Sequence, residues 1–66
     1  RLEAAIASLP PLDRALMLLA LDDHGHREIG EILGLSAANV GTRLHRLRER
    51  IRRQLLGEDT RNGHGQ

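Results

Sequence analysis

The chain has no cysteine, phenylalanine, tyrosine, tryptophan or lysine, and only two prolines in 66 residues. Each absence excludes a class of function. Without Cys there is no disulfide framework, no thiolate zinc site and no thiol nucleophile. Without aromatic rings there is no platform on which single-stranded bases stack. The longest apolar run, Ala15 to Leu21, falls far short of the roughly 20 residues that a bilayer span needs. No signal-peptide pattern opens the chain. The length holds one domain with a small core. The first residue is Arg1 rather than Met, and we read the chain as one piece of a longer protein.

What is present is arginine. All ten basic residues are Arg, and the net charge of +1 conceals a split. Residues 1–35 hold Arg1, Arg14 and Arg27 against Glu3, Asp13, Asp22, Asp23, Glu28 and Glu31, a sum of −3. Residues 36–56 hold six arginines against Glu49 alone, a sum of +5, and residues 57–66 sum to −1. The positive charge is confined to one segment.

The apolar spacing is helical throughout and no stretch alternates as a half-buried strand would. A first helix spans Leu2 to Ser8 and stops at Pro10-Pro11. Pro11 suits the first turn of a second helix, where its missing N–H costs nothing. That helix runs to about Asp22 with Leu12, Ala15, Leu16 and Leu19 on one stripe. Met17, Leu18 and Leu21 lie off it, so we expect this helix to be apolar nearly all round and the most buried. Asp23-His24-Gly25 reads as a turn. The third helix covers about His26 to Leu33, with Ile29, Ile32 and Leu33 inward, and Gly34 stands where a left-handed cap is common. Ser36 is a good N-cap for a fourth helix, from Ala37 to about Leu56, which Gly57 ends. The spacing thus predicts an all-α, four-helix domain over 1–56. Residues 57–66, with three glycines and no aliphatic side chain, read as a disordered tail.

The third helix, the Gly34-Leu35 turn and the fourth helix form a helix-turn-helix. Gly30 permits close approach, Gly34 makes the turn and Val40 is the apolar anchor. At 100° per residue, Val40, Leu44, Leu47, Ile51 and Leu55 fall within about 80° of one another. Asn39, Thr42, Arg46, Glu49 and Arg53 lie opposite. Arg43 and Arg50 take one flank, His45 and Arg52 the other. Such a helix suits a DNA major groove. Arg pairs with guanine, Asn pairs with adenine, and Thr contacts phosphate or the thymine methyl. Asn39, Thr42, Arg43, His45 and Arg46 lie in the N-terminal part, which meets the bases in this motif. Residues Arg48 to Arg53 lie further along, toward phosphate or a protein partner.

The segments LPPLDRALMLL and HREIGEILGLSAANVGTRLHRLRERIR resemble region 4 of bacterial sigma factors of the extracytoplasmic-function type. That family has an LP-rich entry with an Arg soon after. An EIAEILG-like helix follows, and then a Ser-capped recognition helix with a V-x-S/T-R-L-H-R core. The resemblance covers Leu2 to Leu56 and is most specific over Glu28 to Arg48. It implies a small helical domain whose long last helix recognises the promoter −35 element, which docks on the RNA polymerase β-subunit flap and which an anti-sigma factor occludes in many members. Carried over, the base-reading positions are Thr42, His45 and Arg46, with Asn39 and Arg43 beside them. Ser36, Arg48 and Arg50 are phosphate or supporting contacts, and Arg14 matches the Arg of the entry. The resemblance also implies a cytoplasmic, nucleoid-associated protein with an upstream helical domain for the −10 region, no membrane partner and no cofactor. Three features depart from the family. Gly41 stands where Lys or Arg is common. The turn before the motif is Asp23-His24-Gly25-His26, with no hydroxyl cap and no aromatic residue. Leu47 replaces Ala.

Other signals carry less. His24-x-His26 has no nearby third ligand and reads as turn residues. Ser8, Ser36 and Thr42 lack the His and Asp partners of a nucleophile, and no glycine-rich phosphate loop is present, so no enzyme is expected. Two other readings fit the residues. One is the helix-turn-helix domain of a response regulator or quorum-sensing activator. The other is a protein-interaction module that sets the Arg-rich helix on an acidic partner.

Overall fold

The computed structural model describes residues 1–64, and burial for 1–57. The helices are α1 (Leu2–Ala7), α2 (Pro11–Leu21), α3 (His26–Leu33) and α4 (Ala37–His64). No strand occurs among the described residues. Pro11 opens α2, and the first intrahelical bond of that helix runs from the Arg14 N–H to the Pro10 carbonyl at 2.9 Å. The Arg14 guanidinium reaches back to the Ala7 carbonyl at 3.3 Å, so this side chain satisfies an end group of α1.

The buried core is Ala5, Ile6 and Leu9 from the α1 segment, Leu16 and Met17 from α2, Ile29 from α3, and Val40, Leu44, Leu47 and Ile51 from α4. The apolar stripe of α4 therefore packs as its spacing predicts, with Leu55 partly buried at its end. Both α2 and α4 touch all three other helices, but α4 supplies four of the ten buried core residues and α2 only two, so α4 is the central element. The reason is length. The buried stripe Val40, Leu44, Leu47 and Ile51 runs along about three turns of the 28-residue α4, whereas the 11-residue α2 buries only the adjacent Leu16 and Met17. On α2 the inward face is Leu16 and Met17, which leaves Leu12, Leu18 and Leu21 exposed.

On α3, Ile29 is buried and Leu33 half-buried, but Ile32 is exposed. Ile32 lies about 100° around the helix from Leu33, off the face that Ile29 and Leu33 share. Gly30 takes the inward place instead. The helix α4 also runs through Gly57 to His64, beyond the stop read at Gly57. A glycine ends a helix when it adopts the left-handed conformation. Gly34 does so at φ 76°, and it is the positive-φ glycine of the described residues. Gly57 remains within the helix, where glycine costs only about 1 kcal/mol. The expected disordered tail, 57–66, falls mostly on side chains outside the described residues.

Candidate nucleic-acid interface

The helix-turn-helix is built by two local devices. At the end of α3, Gly34 turns left-handed and the Leu35 N–H donates to the Gly30 carbonyl at 2.8 Å. This closes a Schellman-type cap. A Cβ on Gly30 would collide with the Leu35 carbonyl, so only glycine lets the turn fold back onto α3. At the start of α4, the Ser36 Oγ accepts the Asn39 N–H at 3.1 Å, the N-cap bond expected of serine. Buried Ile29, Val40 and Leu44 then hold α3 and α4 together.

With the stripe of α4 facing the core, its other sides face solvent. Ser36, Asn39, Thr42, His45, Arg46, Arg48 and Arg50 are exposed and Arg43 is half-buried. Asn39, Arg43, Arg46 and Arg50 line a groove of about 300 Å³ together with Asp13 from the first turn of α2. Arg46 and Arg50 also join His45, Glu49, Arg53 and Gln54 along a shallow, open depression of the same helix. Arg43, Arg46, Arg50 and Arg53 form one column, because spacings of three and four return to one helix face. Arg48 stands apart from that column, and Thr42 and Ser36 line neither hollow.

Of this surface, Asp13 and Gln54 are not singled out in the sequence, and Arg53 reads there only as lying further along the helix, toward phosphate or a protein partner. Arg53 was legible there, since it continues the three-and-four spacing of Arg43, Arg46 and Arg50. Asp13 was not, because its place beside α4 depends on how α2 packs.

The Arg43 Nε donates to the Asn39 Oδ1 at 3.2 Å, one turn apart. Pairing of an Asn amide with adenine uses both its oxygen and its NH₂ group. The Arg43 bond uses one of the two lone pairs of that oxygen and neither N–H of the amide, so Asn39 keeps an acceptor and a donor for a base. Arg52 Nε lies 3.9 Å from a Glu49 carboxylate oxygen, an exposed pair that contributes little. Among the described residues, Arg46, Arg50 and Arg53 of the column form no ion pair, which leaves their guanidinium groups for an external anion.

His24 and His26 do not meet as ligands. Each ring nitrogen of His24 faces a carboxylate, while the His26 ring lies over Gly41. Among the described residues, no group of three or more His, Cys, Asp or Glu side chains could hold a metal ion. No helix among the described residues is long and apolar enough to cross a membrane. Leu2 and Ile6 of α1 and Leu18 and Leu21 of α2 line an apolar groove of about 340 Å³ together with Arg14 and Glu3.

The family model described as sigma-70, region 4 matches residues 1–51. No solved structure matches the chain.

Proposed function

The chain belongs to the sigma-70 region 4 family, a DNA-binding and not a catalytic family whose members bind promoter −35 DNA and RNA polymerase, and we propose that it does so within an alternative sigma factor of the extracytoplasmic-function type. The observation that carries this reading is the solvent side of α4. It follows directly on a glycine-closed turn and gathers Asn39, Arg43, Arg46 and Arg50 along one groove.

In this reading α4 lies in the major groove. Asn39, Thr42, Arg43, His45 and Arg46, at its N-terminal end, meet base edges. Arg46 pairs with guanine through two parallel N–H donors. Arg48, Arg50 and the Ser36 hydroxyl hold phosphates and set the register. Ser36 can do both its tasks, because its oxygen accepts the Asn39 N–H while its own O–H is left to donate. The mechanism is positioning and readout, with no bond made or broken and no cofactor.

The apolar groove between α1 and α2 supports docking on the flap of the polymerase β subunit. Leu18 and Leu21 there are 53% and 58% exposed, more than a solvated helix gains from. An anti-sigma factor would occlude the domain by covering either surface. Both roles place the protein in the bacterial cytoplasm, on the nucleoid.

Binding of a −35 duplex and a scrambled duplex, titrated with salt, tests the reading. We expect the −35 duplex to bind more tightly at every salt concentration. We expect Arg46→Ala to cost about 1–3 kcal/mol and to relax preference at one base position. Equal affinities for the two duplexes would overturn specific recognition, and would favour an acidic protein partner for the Arg column.

A further inference from the structure

His24 sits in the connection between α2 and α3, with its side chain 27% exposed. Its Nδ1 lies 2.8 Å from Glu28 Oε1, in the first turn of α3. Its Nε2 lies 3.1 Å from Asp22 Oδ2, at the end of α2. An ionised carboxylate only accepts hydrogen bonds, and a neutral imidazole has one N–H and one lone pair. Both contacts can be hydrogen bonds at once only when the ring is the imidazolium, with an N–H on each nitrogen.

The backbone places the ring there. Asp23 takes a left-handed conformation at φ 66°, and the His24 N–H donates to the Leu19 carbonyl at 3.1 Å. This cap ends α2 and turns the His24 side chain toward α3. On the other side, Gly25 begins α3 without a side-chain cap. His24 is thus the side chain that joins the two helices across the turn.

We propose that His24 is a proton-operated latch that, as the imidazolium, ties the end of α2 to the first turn of α3 and so seats the helix-turn-helix on the N-terminal half. When the ring loses its proton, one nitrogen turns a lone pair toward a carboxylate. The tie at that nitrogen is lost and its carboxylate is repelled, while the other nitrogen keeps its N–H bond. The charges that act on the ring are Glu28 of α3 and Asp22 of α2, and among the described residues no charge of α1 or α4 acts on it. The Glu28 hydrogen bond is the largest influence and holds the His24 pKa above its ordinary 6.5; burial is the next and opposes it, and the Glu28 charge and then Asp22 add smaller effects in the raising direction.

The sign of the linkage follows. A group whose pKa is raised by folding stabilises the fold fully below its unfolded value. That stabilisation disappears as pH rises through the folded value. The latch is therefore closed in mild acid and opens toward alkaline pH.

Two measurements on the 66-residue chain test this. The first is a proton NMR titration of the His24 ring in the wild type and in Glu28→Gln. We expect a midpoint above 6.5 in the wild type and a lower midpoint in the variant. The second is thermal unfolding at about pH 6 and about pH 8, spanning the ordinary histidine range, for the wild type, Glu28→Gln and His24→Gln. We expect the wild type to lose more Tm over that interval than either variant. Comparing losses within each protein removes any fixed cost of the substitution itself. Glu28 is exposed, so its replacement leaves the core intact. A wild-type midpoint at or below 6.5, or the same loss of Tm in all three proteins, would overturn the latch.

Discussion

Two residues end helices in this chain by the same backbone device, with different side chains. Gly34 and Asp23 both take positive φ, at 76° and 66°. Each is followed by an N–H that reaches back five residues, from Leu35 to Gly30 and from His24 to Leu19. Glycine has no Cβ to resist that conformation, whereas an aspartate does. Asp23 also stands with Asp22 at the negative end of the α2 dipole, which disfavours carboxylates. Asp23→Gly relieves both effects, and we expect a gain of about 0.5–1 kcal/mol in unfolding free energy. Denaturant unfolding of the two proteins side by side reads the change. A loss of stability would mean that the Asp23 side chain contributes a contact that outweighs its strain. The sequence marked Gly34 as a cap but read Asp23 only as part of a turn, because aspartate tolerates many turn positions and glycine after a helical stripe has few alternatives.

At the scale of elements, two departures from the family pattern prove to be neighbours. Gly41 on α4 and His26 at the start of α3 are far apart in sequence, yet a Cβ at Gly41 would stand 3.2 Å from His26 Nδ1 and 3.3 Å from its Cε1. The ring fills space that a side chain at position 41 would need. Alanine is favoured over glycine by about 1 kcal/mol inside a helix. Within the wild type, part of that gain goes into displacing the ring. We therefore expect Gly41→Ala to stabilise more in a His26→Ala background than alone. A double-mutant cycle on unfolding free energies measures the difference. Additive changes would show that the ring moves aside freely. Periodicity could not reveal this pairing, since it concerns which sides of two helices meet. The same limit explains Ile32 and α2. The pattern showed how many apolar residues each helix carries, but the choice of inward face depended on Gly30 and on where α4 lay. The end of α4 was missed for a different reason. Gly57 stays helical, and the residue type alone does not say which backbone conformation a glycine adopts.

At the scale of the molecule, the charge split of the sequence becomes a spatial one. The acidic residues of 1–35 sit on the short helices and in the connection between α2 and α3, and the arginine column sits on α4. Most of the candidate surface was legible because one helix carries it, so that spacing alone sets which residues share a side. Asp13, contributed by α2, was the part that required the tertiary structure. The split also bears on how the arginines divide their work. Arg46 lies in the N-terminal part of α4 that meets bases in this motif, while Arg50 and Arg53 continue the column beyond it. Residues that hold phosphate release counterions on binding, and each one adds about 0.9 to the slope of log K against log salt. We expect Arg50→Ala and Arg53→Ala each to reduce that slope by about 1, with the same loss of affinity on the −35 and scrambled duplexes. Glu3→Gln, on α1 beside the apolar groove, serves as the control. It changes net charge by the same amount in magnitude but stands off the α4 column, where salt screens its effect within about 10 Å. Its slope should equal that of the wild type. If Glu3→Gln steepened the slope by as much as the arginine variants reduce it, net charge rather than the arginine column would govern binding. If Arg50→Ala or Arg53→Ala instead altered base preference, the reading surface would extend further along α4 than the first three turns.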